Sequence, residues 1–248
     1  RLSSMEIRAL TTTEYLSLPQ PPQRWVIDGL VPAQSMIVLW GPAKEGKTTL
    51  ALQAGASVSV GVPFLGRDTQ QGPVLLLQLD TPRLELTQML VRLGEQGVPV
   101  GGLFHPHPEQ MEAHRPVNIL DPDTLLYLQS LVKLVKPSLV IIDCFRECGS
   151  FKENVSEEQR PIVNALKNMT TFHPTDPCAC LLIHHTTKLT SREVVPDAKD
   201  AGRGSGYLAG AVDAIWFLYQ SKLQVDARFT KKHTLYLKTS AEGVWSAG

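Results

Sequence analysis

Apolar residues fall in short unbroken runs, separated by polar, glycine-rich or proline-rich stretches. Met36-Ile37-Val38-Leu39-Trp40, Val74 to Leu79, Ser138 to Asp143 and Cys178 to His184 have the length and make-up of strands buried on both faces. Between them the pattern predicts helices ending near Val60, from Thr81-Pro82 to about Leu93, over 122–135 behind a capping Asp121, and over about 156–170. The section 94–119 is rich in Gly, Pro and His and is expected to hold loops and a short strand near 102–105. Two later runs, Asp213 to Tyr219 and His233 to Lys238, read as strands that finish the sheet antiparallel. Strands alternating with helices require crossover connections. The expected fold class is therefore α/β, with a mainly parallel central sheet flanked by helices and antiparallel C-terminal strands. Residues 1–24, polar and ending in Pro19, Pro21 and Pro22, read as an N-terminal arm, and 25–248 as one core.

The polar stretch after the first strand carries the clearest chemistry. Gly41-Pro42-Ala43-Lys44-Glu45-Gly46-Lys47-Thr48 fits G-x-x-x-x-G-K-[ST], and Thr49 with a helix-compatible run follows. Strand, glycine-bounded loop and helix is the order a P-loop requires. Backbone amides of the loop and of the first helical turn converge on one anion, and the helix dipole favours negative charge there. Gly41 and Gly46 let the main chain wrap a phosphate. Lys47 is expected to reach the β/γ-phosphates, and the Thr48 hydroxyl to ligate Mg²⁺. Trp25 to Pro32 is apolar enough to pack and is expected as a flap beside the nucleotide.

Three strand ends add candidates. Asp143 closes an apolar strand as a Walker B acid does, at the sheet edge where α/β folds place ligands, and is expected in the Mg²⁺ shell. Asp80 follows another strand; it either polarises the water that attacks the γ-phosphate or caps the helix at Pro82. His184-His185-Thr186-Thr187-Lys188 ends the fourth strand. Because side chains alternate, one imidazole of the pair can face the nucleotide and sense the γ-phosphate. The polar loop 186–206 carries Lys188, Arg192, Lys199 and Arg203 among acidic residues. It is a solvated surface, or its Arg203 acts as an arginine finger on a neighbouring subunit, or Lys188 and Arg192 contact single-strand phosphates.

Composition narrows the field. At 43% apolar residues the chain can build a sizeable core, and zero formal net charge removes any global basic field, so nucleic-acid contact has to come from a local patch. Cys144, Cys148, Cys178 and Cys180 lack a second metal-type half and read as reduced thiols of a cytoplasmic protein. His105, His107 and His114 fit no zinc spacing and are expected as solvated loop residues. No apolar run is long enough to span a bilayer.

Together these residues resemble the RecA-like P-loop ATPases, and within them the AAA_25-type branch that includes plasmid replicative helicases of the RepA type. The resemblance runs from about Trp25 to Tyr219. It rests on Gly41–Thr48, Leu75–Asp80, Leu139–Asp143, the histidine pair with Lys188, and Arg203-Gly204-Ser205-Gly206 through Ala211-Val212-Asp213. It implies a RecA-like core assembling as a homo-oligomeric ring, commonly a hexamer, with ATP between subunits. In it Lys47 and Thr48 hold phosphate and Mg²⁺, Asp143 is the Walker B acid, His184 or His185 the sensor, and Arg203 the finger acting in trans. The family usually has Glu where this chain has Asp80, which implies slow hydrolysis if the shorter side chain misplaces the water. The expected function is an ATPase motor or helicase on single-stranded DNA, the loop 186–206 being the DNA contact. The alternatives are an ATP-switched assembly factor with little turnover and, less well matched, a small-molecule kinase.

Overall fold

The computed structural model describes residues 8–19, 22–152, 155–171, 173, 177–185, 206–219, 222–227, 230–239 and 245–247. A nine-stranded sheet forms the centre, in the order β11-β10-β9-β8-β3-β7-β6-β4-β5. Its strands are β3 (Met36–Gly41), β4 (Val74–Gln78), β5 (Leu103–Phe104), β6 (Leu139–Asp143), β7 (Ala179–His185), β8 (Ala214–Tyr219), β9 (Lys222–Ala227), β10 (Thr230–Thr239) and β11 (Trp245–Ala247). The six from β8 to β5 are parallel; β9, β10 and β11 are added antiparallel. The α/β class and mainly parallel sheet expected from the sequence are present, with one correction. The run ending at Tyr219 is not the first antiparallel strand, because β8 pairs parallel with β3 and the reversal comes only at β9.

Alternation along each buried strand feeds two cores. Ile37, Leu39, Leu76, Ile141, Leu181, Ile183 and Trp216 face one side, against α2 (Lys47–Val60). Met36, Val38, Trp40, Leu77, Ile142, Leu182 and Phe217 face the other. There they meet α5 (Pro122–Val135), α6 (Ser156–Met169) and α7 (Gly206–Ala211). A strand covered on both faces has no solvated side, which is why these segments read as continuous apolar runs rather than alternating ones. Asp121 caps α5 through its side chain, accepting from Thr124 N at 2.9 Å as expected.

Three expectations change. Trp25 to Pro32 is not a flap: β1 (Trp25–Ile27) and β2 (Val31–Pro32) pair as a hairpin whose Ile27 and Val31 are fully buried in the first core, with Ile27 bridged to Thr69. His114 is not a loose loop histidine; it stacks on Tyr127 with ring centres 4.6 Å apart and its Nδ1 lies 3.3 Å from Thr124 Oγ1. A proline-started helix, α4 (Pro108–Glu112), occupies part of the section expected as loop, after α3 (Arg83–Glu95). In the arm, α1 (Thr12–Ser17) is closed by a Thr11–Glu14 capping box and buries no residue.

Candidate functional site

β3 delivers the chain to the carboxyl edge of the sheet, and residues 42–46 turn it into α2. Gly46, the residue before the helix, has φ 86°, a left-handed conformation that glycine adopts without strain. Gly41 is required for a different reason than wrapping. A Cβ there would collide with the carbonyl oxygen of Leu218 on β8, so only glycine lets the two strands approach. Lys44 also takes a left-handed conformation, φ 68°, which costs a non-glycine residue on the order of 1 kcal/mol. Pro42, Ala43, Lys44 and Glu45 lie partly or fully at the surface around this turn, as do Thr48 and Thr49 in part.

Lys47 is the exception: it is buried, with Nζ donating to Pro42 O at 2.6 Å. Desolvation lowers its pKa from 10.5 to about 8, against the opposing pull of Asp143 and neighbouring acidic groups. A buried ammonium that donates to a neutral carbonyl is incompletely compensated, and an anion in the loop would complete it.

Opposite stands Asp143 at the end of β6, 2% exposed. Its Oδ2 accepts from Thr48 Oγ1 at 2.6 Å and from Gln78 Nε2 at 3.1 Å. Burial pushes the Asp143 carboxyl pKa upward, and the two hydrogen bonds oppose that. Gln78, paired with Asp143 across the β4–β6 ladder, was not singled out from the sequence, although an amide ending an otherwise apolar strand is a visible signal. Its Oε1 is buried without a protein donor, so it offers an acceptor to the water shell of a hydrated cation. Hydroxyl, carboxylate and amide oxygen are hard donors of the kind Mg²⁺ takes, and Thr48, Asp143 and Gln78 therefore fit that ion.

The histidine pair splits as alternation requires. His184 turns into the second core, 4% exposed, edge-on to Phe145 at 5.5 Å between ring centres and tilted against Trp40 at 6.3 Å. Desolvation, helped by His185, Lys47 and Arg146, lowers its pKa from 6.5 to about 4, so it stays neutral through the physiological range. His185 lies beside Gly41 across the β3–β7 ladder, with Nε2 3.6 Å from Asp80 Oδ2. That separation is too long for a hydrogen bond. Asp80 sits two residues beyond β4, where the backbone amides of Leu79 and Asp80 both donate to Asp143 O, at 2.6 and 3.2 Å. It does not cap α3; Pro82 precedes that helix and no side chain caps it. Of the sequence-predicted residues, Gly41 to Thr49, Asp80, Asp143 and His185 gather at one edge, with His184 packed behind them. Arg203 and the 186–205 part of the loop, with Lys188 and Arg192, lie outside the described residues.

A glycine-bounded turn before a helix, a buried lysine, and a threonine hydroxyl bonded to a strand-end aspartate define a P-loop NTPase built on a RecA- and KaiC-like sheet. The chain belongs to the AAA_25 family: that family's profile, described as an AAA domain, matches residues 2–191. Among solved structures, it is similar to the KaiC-like protein PH0186 from the hyperthermophilic archaeon Pyrococcus horikoshii OT3, at TM-score 0.58 and 17% identity. That similarity covers 92% of this chain and 100% of the other, and at this identity it speaks to the fold. Comparison with curated proteins finds no match. Among the described residues no helix is long and apolar enough to cross a membrane, and none of the four buried cysteines is in a disulfide.

Proposed function

We propose that this NTPase binds ATP with Mg²⁺ and hydrolyses it. The observation that carries the reading is the 2.6 Å bond from Thr48 to Asp143 beside a buried, under-compensated Lys47. Lys47 and the main-chain N–H groups of residues 43–48 hold the phosphate tail; Thr48 and Asp143, with Gln78 behind them, hold the metal. Mg²⁺ there supplies charge neutralisation on the phosphate oxygens. Asp80 orients the attacking water, and His185 beside it holds that carboxylate in place. The domain division at residue 24, drawn from the polar, proline-ended arm, belongs to this proposal, as do ring assembly as a hexamer and Arg203 acting across subunits through the family resemblance. So does the use of the cycle as a motor on single-stranded DNA.

A second reading, an ATP-switched assembly factor with slow turnover, is favoured by one feature. Asp80 is a methylene shorter than the family's usual Glu, and its carboxylate is engaged with His185. Calorimetry with Mg²⁺-ATP tests the shared core, and absence of magnesium-dependent binding refutes both readings. Turnover measured with and without single-stranded DNA then separates them. DNA stimulation is expected for the motor; ATP-dependent growth in solution mass without turnover supports the switch.

A further inference from the structure

At the carboxyl edge of the sheet, three strands end in three chemically different metal ligands. Asp80 follows β4, Cys144 follows β6 and His185 closes β7. One ligand atom from each, a carboxylate oxygen, a thiol sulfur and an imidazole nitrogen, lies within 4.8 Å of the other two. The main chain holds them there: Leu79 and Asp80 donate to Asp143 O, and β6 pairs with β7 up to Asp143↔Ile183. We propose that Asp80, Cys144 and His185 form a binding site for a thiophilic divalent cation such as Zn²⁺, separate from the Thr48–Asp143 oxygen site.

The geometry is close to what such an ion needs. Tetrahedral zinc with bonds of about 2.0 to 2.3 Å places its ligand atoms about 3.3 to 3.8 Å apart. His185 Nε2 and Asp80 Oδ2 already stand 3.6 Å apart. All three ligand atoms lie within 4.8 Å of one another, so no pair has to close by more than about 1.5 Å to reach tetrahedral spacing. Three protein ligands leave the fourth position to water. Ligand softness sets the selectivity: a thiolate favours Zn²⁺ or Co²⁺ over Mg²⁺, which keeps to oxygen. On binding, the metal–sulfur bond forms as the Cys144 thiol releases its proton to solvent, and no redox change occurs. Resting on the ATPase reading above, occupancy withdraws Asp80 and His185 from the attacking water, so Zn²⁺ inhibits turnover.

Co²⁺ titration of the nucleotide-free protein tests the site directly. A thiolate-to-cobalt charge-transfer band is expected, displaced by Zn²⁺ and indifferent to excess Mg²⁺. Cys144→Ser should abolish the band. Because Cys144 is buried, Asp80→Asn, at a half-exposed side chain, serves as the second variant and should weaken Zn²⁺ binding roughly tenfold or more. A band that survives Cys144→Ser, Zn²⁺ affinity unchanged by Asp80→Asn, or no band at all overturns the site. Turnover that persists at full Zn²⁺ occupancy overturns the inhibition. If the zinc-free protein hydrolyses no Mg²⁺-ATP, the ATPase reading fails while the cobalt band still decides the site.

Discussion

Replacing Lys47 by Met in protein free of nucleotide and magnesium should change how stability depends on pH. The side chain is buried, and desolvation lowers its pKa from 10.5 to about 8. One pKa unit is worth about 1.4 kcal/mol, so holding Lys47 charged in the folded chain costs roughly 3 kcal/mol at about pH 7. Between pH 8 and 10.5 the unfolded chain keeps a proton that the folded chain has lost, so the wild type gains stability as pH rises through that window. Methionine has similar length and nothing to titrate. By about pH 9.5 the charge cost has fallen to roughly 1 kcal/mol, and the gap between variant and wild type moves by about 2 kcal/mol in the wild type's favour. The lost bond to Pro42 O, worth roughly 2 kcal/mol, offsets part of the variant's gain near pH 7, so the change with pH is the readout rather than the absolute difference. Urea denaturation followed by tryptophan fluorescence at the two pH values measures it. A stability difference that stays constant across that range refutes the argument that Lys47 sits desolvated in the empty loop.

Three further outcomes are expected. Gly41→Ala drives a Cβ into Leu218 O and should cost about 1 to 3 kcal/mol of stability along with nucleotide affinity; thermal melts and fluorescent-nucleotide titration check it, and unchanged affinity counts against the strand contact. Asp80→Glu should raise ATP turnover if the shorter carboxylate limits hydrolysis, and steady-state phosphate release decides it. His184 is neutral when folded but protonates when unfolded, so the wild type should lose roughly 3 kcal/mol as pH falls from 6.5 to about 4. His184→Phe, which keeps the ring between Trp40 and Phe145, should lose less over that interval in denaturant titrations; equal acid sensitivity refutes the assignment.

Local pattern was enough to locate β3, β4, β6 and β7, the helices between them, the glycine-bounded loop and the strand-end Asp143. Buried strands and P-loops are written in contiguous residues: an apolar run of five or six, or glycines and a lysine at fixed spacing. Asp80 and the histidine pair were visible as strand-end residues, yet their roles stayed divided, because a cap and a catalytic carboxylate look alike in one dimension.

Tertiary structure decided the rest through pairing between distant segments. The β3–β7 register puts His185 beside Gly41, and the β4–β6 register puts Gln78 beside Asp143. A shift of one residue would have exchanged His184 with His185 and sent the wrong ring into the core. The parallel seating of β8 against β3 explains why Gly41 admits no side chain, and no local periodicity contains that fact. Cys144 became a candidate ligand only because β4, β6 and β7 end side by side. Sequence sets which residues are buried and where the chain turns; strand order and register, paid for by long-range burial, set which side chains meet.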